Sequence, residues 1–398
     1  MDYPILKLKK GKEGNVIFRH PWVFSGAIEY IPNNLPQGSL VYVQDSQENI
    51  IGTGTFSKYS SIAIRIFDFK KAEINEKWIA EKLRTALQKR KLLGYGKGTS
   101  TSGYRLVFGE ADELPGLVVD VYATQIVIQI STAGMDALRE DVVEALKKLL
   151  NPKAIVERSD MQVRQEEHLP EIKELLYGKV TGKNGAEFKE NGLTFYADVL
   201  EGQKTGFFLD QKDLRLKIEE LAKDKEVIDI FSYTGSAGIY ALRGKAKKVS
   251  FVDSSRLALD FCEKHVKKNF KNAKFETIEE DAFQFTSTAK SDSYDMVLLD
   301  PPALIKSRAS MENGKKAYHF LNRAGIRMVK DGGIFVTSSC SHFLSEDDFM
   351  FLLRRAEVQA GTTLHMLYSI KQSPDHPLSI NFPESKYLKS FVFLVEKH

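Results

Sequence analysis

The run Val227-Ile228-Asp229-Ile230-Phe231-Ser232-Tyr233-Thr234-Gly235-Ser236-Ala237-Gly238 decides the fold. Five residues of strand length and composition meet a polar turn, Gly235 permits a tight bend, and the pattern predicts a helix over 236–242. The same unit then recurs. Val249 to Asp253 precedes a helix over 256–269, and Phe275 to Glu280 precedes a short helix. Met296 to Asp300 precedes a helix over 315–329, Ile334 to Thr337 one over 346–360, and a terminal strand pair (363–370, 391–395) closes the series. Strands alternating with helices of this length predict an α/β fold whose C-terminal part is a doubly wound, mostly parallel, Rossmann-like sheet.

Upstream of that sheet a hairpin over 187–197 turns at Asn191-Gly192, and a polar stretch with Gly178, Gly182 and Gly185 precedes it. Residues 104–177 carry two strand-like runs (116–122 and 125–130), a helical stretch (136–150) and a strand (154–156), which read as a central α/β domain. A helix over 76–93 brings Ile79, Leu83, Leu87 and Leu92 near one face, with Gly94 and Gly96 as stop signals. From Ile5 to Phe69 short apolar runs (16–18, 22–24, 40–43, 62–67) are cut by turn residues, as in a small β-barrel. Three domains are therefore expected: 1–70, 71–184 and 185–398.

The 398 residues hold 57 Lys plus Arg against 53 Asp plus Glu, and 42% are hydrophobic. Composition this ordinary excludes wholesale disorder, and a net charge of +4 over such a length does not by itself identify a polyanionic partner. Two cysteines, Cys262 and Cys340, cannot build a disulfide framework or a Cys-rich zinc site, so no metal is expected and a reducing, cytoplasmic compartment is. No basic-then-apolar leader opens the chain and no window of about 18 uncharged apolar residues occurs, so neither secretion nor a membrane partner is expected.

Ligands of an open α/β sheet bind outside the carboxyl ends of the strands. Four such ends carry distinctive residues. Phe231-Ser232-Tyr233-Thr234-Gly235 forms the first turn, and Asp253, 18 residues after Gly235, is placed to accept from ribose hydroxyls. Glu280-Asp281-Ala282-Phe283 sets a carboxylate beside an apolar pair able to flank a purine, and Asp300-Pro301-Pro302 is the fourth end. A dinucleotide enzyme would show G-x-G-x-x-G, whereas Tyr233 stands where its first glycine would be, which favours a nucleoside without a pyrophosphate. Acidic strand ends with D-P-P resemble the class I S-adenosylmethionine-dependent methyltransferases. Ala303 follows D-P-P where amino-group methyltransferases carry a stacking aromatic, which disfavours an adenine N6 enzyme.

The fifth strand of the series ends Ser338-Ser339-Cys340-Ser341, beside D-P-P. Carbon 5 of a pyrimidine is a poor nucleophile, and thiolate addition at carbon 6 makes it reactive, so a cysteine here fits that chemistry. Cys262, inside a helix, reads as packing. Residues 304–330 hold Lys306, Arg308, Lys315, Lys316, Arg323, Arg327 and Lys330 against Glu312 alone, a candidate phosphate-contacting element.

Four motifs carry a wider resemblance: G-Q-K-T-G-F-F-L-D-Q (202–211), D-I-F-S-Y-T-G (229–235), L-D-P-P (299–302) and S-S-C-S (338–341). With R-H-P-W-V-F-S-G (19–26), the chain resembles the ribosomal RNA large-subunit methyltransferase I family, whose N-terminal PUA domain is a small RNA-binding barrel. The resemblance spans essentially the whole chain and implies methylation of carbon 5 of a cytosine in 23S ribosomal RNA with S-adenosylmethionine as cofactor. It implies Cys340 as nucleophile, and Phe208, Gln211, Phe231, Tyr233, Thr234, Gly235, Asp253, Asp281 and Asp300 as cofactor contacts. One departure is visible: Pro301-Pro302 stands where broader RNA cytosine-5 methyltransferases have Pro-Cys, which leaves Asp300 as the candidate base that releases the adduct.

Extruding a base from folded RNA costs a few kcal/mol, which additional RNA contacts offset. Lys7, Lys9, Lys10, Lys12 and Arg19 are the N-terminal candidates for such contacts; Lys306, Arg308, Lys315 and Lys316 are those beside the site. A homodimer is a further expectation. Competing readings are a ribosomal RNA methyltransferase that modifies guanine without a cysteine nucleophile, and a non-enzymatic RNA-binding assembly protein.

Overall fold

In a computed structural model the described residues are 2–182 and 185–398, so the domain boundary expected at 184/185 lies at residues outside the description. The chain forms two compact units, one of residues 1–210 with 374–385, the other of 211–373 with 386–398.

The second unit is built on a seven-stranded sheet: β1 (Glu226–Ile230), β2 (Lys248–Asp253), β3 (Phe275–Glu279), β4 (Tyr294–Leu299), β5 (Val329–Ser339), β6 (Thr362–Ile370) and β7 (Lys389–Lys397). Its spatial order is β3-β2-β1-β4-β5-β7-β6. The first five strands run parallel, and β7 is antiparallel to both β5 and β6. Strand order reverses between β1 and β4, which opens a crevice at their carboxyl ends. Six helices connect the strands: α1 (Lys212–Leu221), α2 (Ser236–Arg243), α3 (Arg256–Asn269), α4 (Ala282–Thr288), α5 (Met311–Met328) and α6 (Glu346–Ala360).

Strand composition explains the layering. Ile228, Ile230, Val297, Leu299, Phe335 and Phe393 alternate with residues of the opposite face and bury with Tyr318, Leu321 and Ile326 of α5 and Phe349, Leu352 and Leu353 of α6. Parallel strands covered on both faces must be apolar nearly throughout, as β4 is from Met296 to Leu299. Three of these helices start at side-chain caps that satisfy otherwise orphaned N–H groups: Ser255 accepts from Ala258 N, Asp281 from Phe283 N and Gln284 N, and Ser345 from Asp348 N.

The first unit holds two five-stranded sheets and a hairpin. Strands Ile5–Lys7, Leu40–Gln44, Ile50–Phe56, Ile62–Asp68 and Trp22–Phe24 form one sheet around a core that includes Leu6, Val23, Val41, Ile64 and Ile66. The other runs Ile172–Gly178, Ala154–Ser159, Gln125–Ile130, Leu117–Tyr122, Gly103–Phe108, with helices Glu76–Leu92 and Arg139–Leu150 against its apolar face. The hairpin pairs Ala186–Glu190 with Leu193–Ala197.

Residues 374–385 return to this unit late in the chain. Arg90, fully buried, pairs with Asp112 at 2.6 Å and donates to the Asp375 carbonyl at 2.7 Å. The Arg105 amide donates to the Asp375 carboxylate at 3.0 Å, and Phe382 packs edge-on to Trp22 with ring centroids 4.9 Å apart.

Three local expectations differ from the structure. Val16-Ile17-Phe18 is not a strand: Gly14–Ile17 forms a helical turn that buries only Val16 and leaves Ile17 and Phe18 64% and 80% exposed. The run 22–24 is apolar throughout, yet only Val23 turns inward, Trp22 being half-buried and Phe24 45% exposed. Ile172–Gly178 is an edge strand that the polar composition concealed, pairing antiparallel to Ala154–Ser159.

Candidate active site

The β1–α2 turn is wound into an unusual backbone. Phe231, Tyr233 and Gly235 all take positive φ (63°, 49° and 78°), so alternate residues are left-handed, a conformation costly for side-chain-bearing residues and met where surroundings over-determine it. Three contacts hold it. The Tyr233 amide donates to Asp253 Oδ2 at 2.8 Å, the Gly238 amide to Asp229 Oδ2 at 2.9 Å, and His265 Nδ1 lies 2.9 Å from the Thr234 carbonyl. Gly235 is required sterically as well, because a Cβ there would lie 2.3 Å from Cys262 Sγ.

Two buried hydroxyls of this turn, Ser232 Oγ and Thr234 Oγ1, have no hydrogen-bond partner in the protein. Buried polar atoms are nearly always satisfied, so such a pair at the mouth of a sheet fits a polar ligand. Around it stand the acidic strand ends. Asp253 is half-buried, with Oδ1 accepting from the Ser255 amide at 2.9 Å. Asp281 is exposed at the start of α4, where its Oδ1 accepts from two amides at 3.0 Å. Asp300, at the end of β4, accepts from Gln211 Nε2 at 2.8 Å. Phe283 meets Phe231 edge-on at 6.3 Å and stacks with Phe320 at 6.1 Å, an aromatic wall beside the carboxylates. These residues fit a nucleoside bearing a positive sulfonium: carboxylates able to accept from hydroxyls, with aromatic rings beside them.

Asp229 lies beneath the turn, fully buried. Burial, reinforced by the Asp300 and Asp253 charges, raises its pKa to about 7 against the opposing Gly238 N–H bond and Arg215 charge. Its folded pKa exceeds its unfolded one, so the native state holds the proton more tightly and stability falls as pH rises from about 4 to about 7. Asp229→Asn, which keeps an oxygen for Gly238, is expected to flatten that part of the profile. Thermal unfolding at pH 4.5, 5.5 and 6.5, as about three spaced points across that window, measures it; an unchanged slope assigns the dependence to another group.

Cys340 follows β5, partly accessible and outside any disulfide. The register Leu299↔Thr337 aligns β4 with β5, so the D-P-P and S-S-C-S segments emerge side by side. The Tyr318 hydroxyl from α5 lies 2.9 Å from Ser341 Oγ and accepts from Ser339 Oγ at 3.0 Å, while Ser341 Oγ accepts from the Ile305 amide at 3.2 Å. One tyrosine thus ties the cysteine turn to the segment following D-P-P. From β7, Lys389 Nζ donates to the Ser341 carbonyl at 2.9 Å. Tyr318, Phe283, Phe320, Ser232 and Lys389 were not among the expected site residues. Ser232 and Phe283 stood inside quoted motifs; Tyr318, Phe320 and Lys389 are brought in by helix and strand packing, which leaves no local signature.

Other expected residues are dispersed. Phe208 belongs to the first unit, half-buried with Lys204 Nζ 4.6 Å from its ring centre, while Phe207 fills the core between Phe188 and Phe195. Cys262 is buried in α3, where desolvation pushes its thiol pKa up, consistent with packing. Lys306, Arg308 and Lys316 are exposed, but Lys315 is engaged by Asp348 at 3.1 Å. The seven-to-one basic stretch is thinned further by Lys330, paired with Asp295 at 3.0 Å, while Arg323 and Arg327 donate to the neutral Gln359 and keep their charge. In the first unit Lys9, Lys10, Lys12 and Arg19 are exposed and Lys7 is half-buried. Among the described residues no cluster of His, Cys, Asp or Glu could hold a metal, and no helix is long and apolar enough to cross a membrane.

Comparison with known proteins adds the following. Residues 6–69 match the PUA-like domain family and residues 132–393 the S-adenosylmethionine-dependent methyltransferase family. A curated relative is ribosomal RNA large subunit methyltransferase I of Pseudoalteromonas atlantica, 36% identical over 389 residues, covering 97% of this chain and 98% of that protein. The Alteromonas mediterranea protein of the same name is 35% identical over 97% of each chain. Among solved structures, a SAM-dependent methyltransferase from Streptococcus mutans superposes with a TM-score of 0.82 at 22% identity, over 98% of this chain and 100% of its own. A methyltransferase complexed with SAH gives 0.82 at 21%, over 99% and 100%. At such identity the superpositions speak for the fold.

Proposed function

Because the chain belongs to the ribosomal RNA large subunit methyltransferase I family of S-adenosylmethionine-dependent methyltransferases, we propose that it methylates carbon 5 of a cytosine in 23S ribosomal RNA, with Cys340 as nucleophile. The carrying observation is the emergence of Cys340 beside Asp300 at adjacent strand ends. S-adenosylmethionine supplies an electrophilic methyl group and leaves as S-adenosylhomocysteine. The Cys340 thiolate adds to carbon 6, which shifts an electron pair toward carbon 5 to receive the methyl. A base then removes the carbon 5 proton, the electron pair of that C–H bond re-forms the 5,6 double bond, and the carbon 6–sulfur pair leaves with sulfur, restoring the Cys340 thiolate. Asp300, held by Gln211, is the base we assign to the proton step.

Cofactor binding is assigned to Phe208, Gln211, Phe231, Tyr233, Thr234, Gly235, Asp253, Asp281 and Asp300. The unpartnered Ser232 and Thr234 hydroxyls and the acidic rim support that assignment. Exposed Lys306, Arg308 and Lys316 beside the site, and Lys9, Lys10, Lys12 and Arg19 in the PUA-like part, supply the phosphate contacts. A cytoplasmic location accords with a ribosomal substrate.

Incubation with ribosomal RNA and isotopically labelled S-adenosylmethionine, followed by digestion to nucleosides and mass spectrometry, tests the reading. Labelled 5-methylcytidine is expected. Label confined to guanosine removes the cysteine mechanism while leaving a methyltransferase.

A further inference from the structure

We propose that Lys389 is a positioning residue for the nucleophile, its buried ammonium holding the turn that carries Cys340 and stabilising the Cys340 thiolate. The proposal rests on the cysteine mechanism above. Strand register places Lys389 opposite Ser339, one residue before Cys340. Its Nζ donates to the carbonyl of Ser341, one residue after Cys340, at 2.9 Å, and to the Tyr387 carbonyl at 2.8 Å. The backbone of Lys389 thus pairs beside the residue before Cys340, and its ammonium holds the carbonyl of the residue after it. Lysine almost never buries, yet Lys389 is only 5% exposed.

Its two named partners are neutral carbonyls, which satisfy N–H groups without cancelling charge. Glu346 is the acidic group whose field reaches Lys389, and its carboxylate is engaged by Lys371 at 2.5 Å and Lys386 at 3.0 Å. The charged groups facing Lys389 are thus Lys371, Lys386 and Glu346, two positive against one negative, together with Cys340 itself. An opposite charge in a low-dielectric setting favours the thiolate. Burial lowers the lysine pKa to about 8, and Cys340 opposes that fall. A lysine that titrates in this range loses its field, and with it the thiolate's support, as pH rises past about 8.

The test measures iodoacetamide alkylation of Cys340 against pH in the full-length protein without RNA, with the modified peptide identified by mass spectrometry. Lys389→Gln keeps an N–H donor for the carbonyls but removes the charge, and is expected to raise the alkylation midpoint by about one pH unit or more. Lys389→Arg, which keeps the charge, is expected to hold the midpoint near wild type. An unchanged midpoint in a folded Lys389→Gln protein overturns the proposal, as does an Arg variant that behaves like Gln. Because this readout needs no RNA and no methyl transfer, it stands or falls separately from the cytosine assignment, which Cys340→Ala turnover decides.

Discussion

Cys340→Ala is expected to reduce methyl transfer to ribosomal RNA by about 10³-fold or more while leaving S-adenosylmethionine affinity within about twofold. The size follows from chemistry: without a thiolate at carbon 6, carbon 5 of cytosine never gains the electron density that attacks a methyl group. The selectivity follows from architecture. Cys340 follows β5, whereas the carboxylates and hydroxyls assigned to the cofactor end β1, β2 and β4 or begin α4. Single-turnover kinetics with saturating cofactor, paired with calorimetric titration, separates the two quantities. Turnover surviving in the alanine variant makes the thiol structural and moves the reaction to another base.

Gly235→Val is expected to weaken S-adenosylmethionine binding by about tenfold to a thousandfold and to lower the melting temperature. A branched side chain at φ 78° costs about 1–2 kcal/mol in backbone strain, and its Cβ falls 2.3 Å from Cys262 Sγ and 3.1 Å from the Phe251 ring. The turn must shift to relieve that clash. Since it carries the Tyr233 amide on Asp253 and the buried hydroxyls of Ser232 and Thr234, the ligand contacts shift with it. At about 1.4 kcal/mol per tenfold, strain and overpacking of about 1.4–4 kcal/mol give the stated range. Cys262→Ala in the same background removes the sulfur and is expected to recover part of the loss. Calorimetry reports the affinity, and wild-type binding by Gly235→Val removes this turn from the cofactor site.

The order of elements in the second unit was readable because one local pattern recurs: an apolar run, a turn with a small or acidic residue, and a helix. Helix 256–269 and helix 346–360 have the expected limits, since Ser255 and Ser345 provide caps that sequence displays directly. Acidic strand ends were readable for the same reason. What escaped depends on distant pairs. Lys389 acquires its role from an antiparallel register with Ser339, fifty positions earlier in the chain, and Tyr318 from the face α5 turns to β5. Short stretches also misled: Val16-Ile17-Phe18 is apolar throughout, and only tertiary packing reveals that one of the three is inward. The basic stretch 304–330 looked uniform, although its charges divide between solvent and partners such as Asp348 and Asp295.

The return of residues 374–385 bears on synthesis. The first unit's buried Arg90 waits for the Asp375 carbonyl, and Trp22 waits for Phe382, although both belong to the earliest parts of the chain. At about 5–20 residues per second, the ribosome takes on the order of ten to thirty seconds to travel from residue 210 to residue 385. Through that interval the N-terminal half exists with an unfilled guanidinium donor and an uncovered indole. Its assembly becomes complete only once residue 385 has been made.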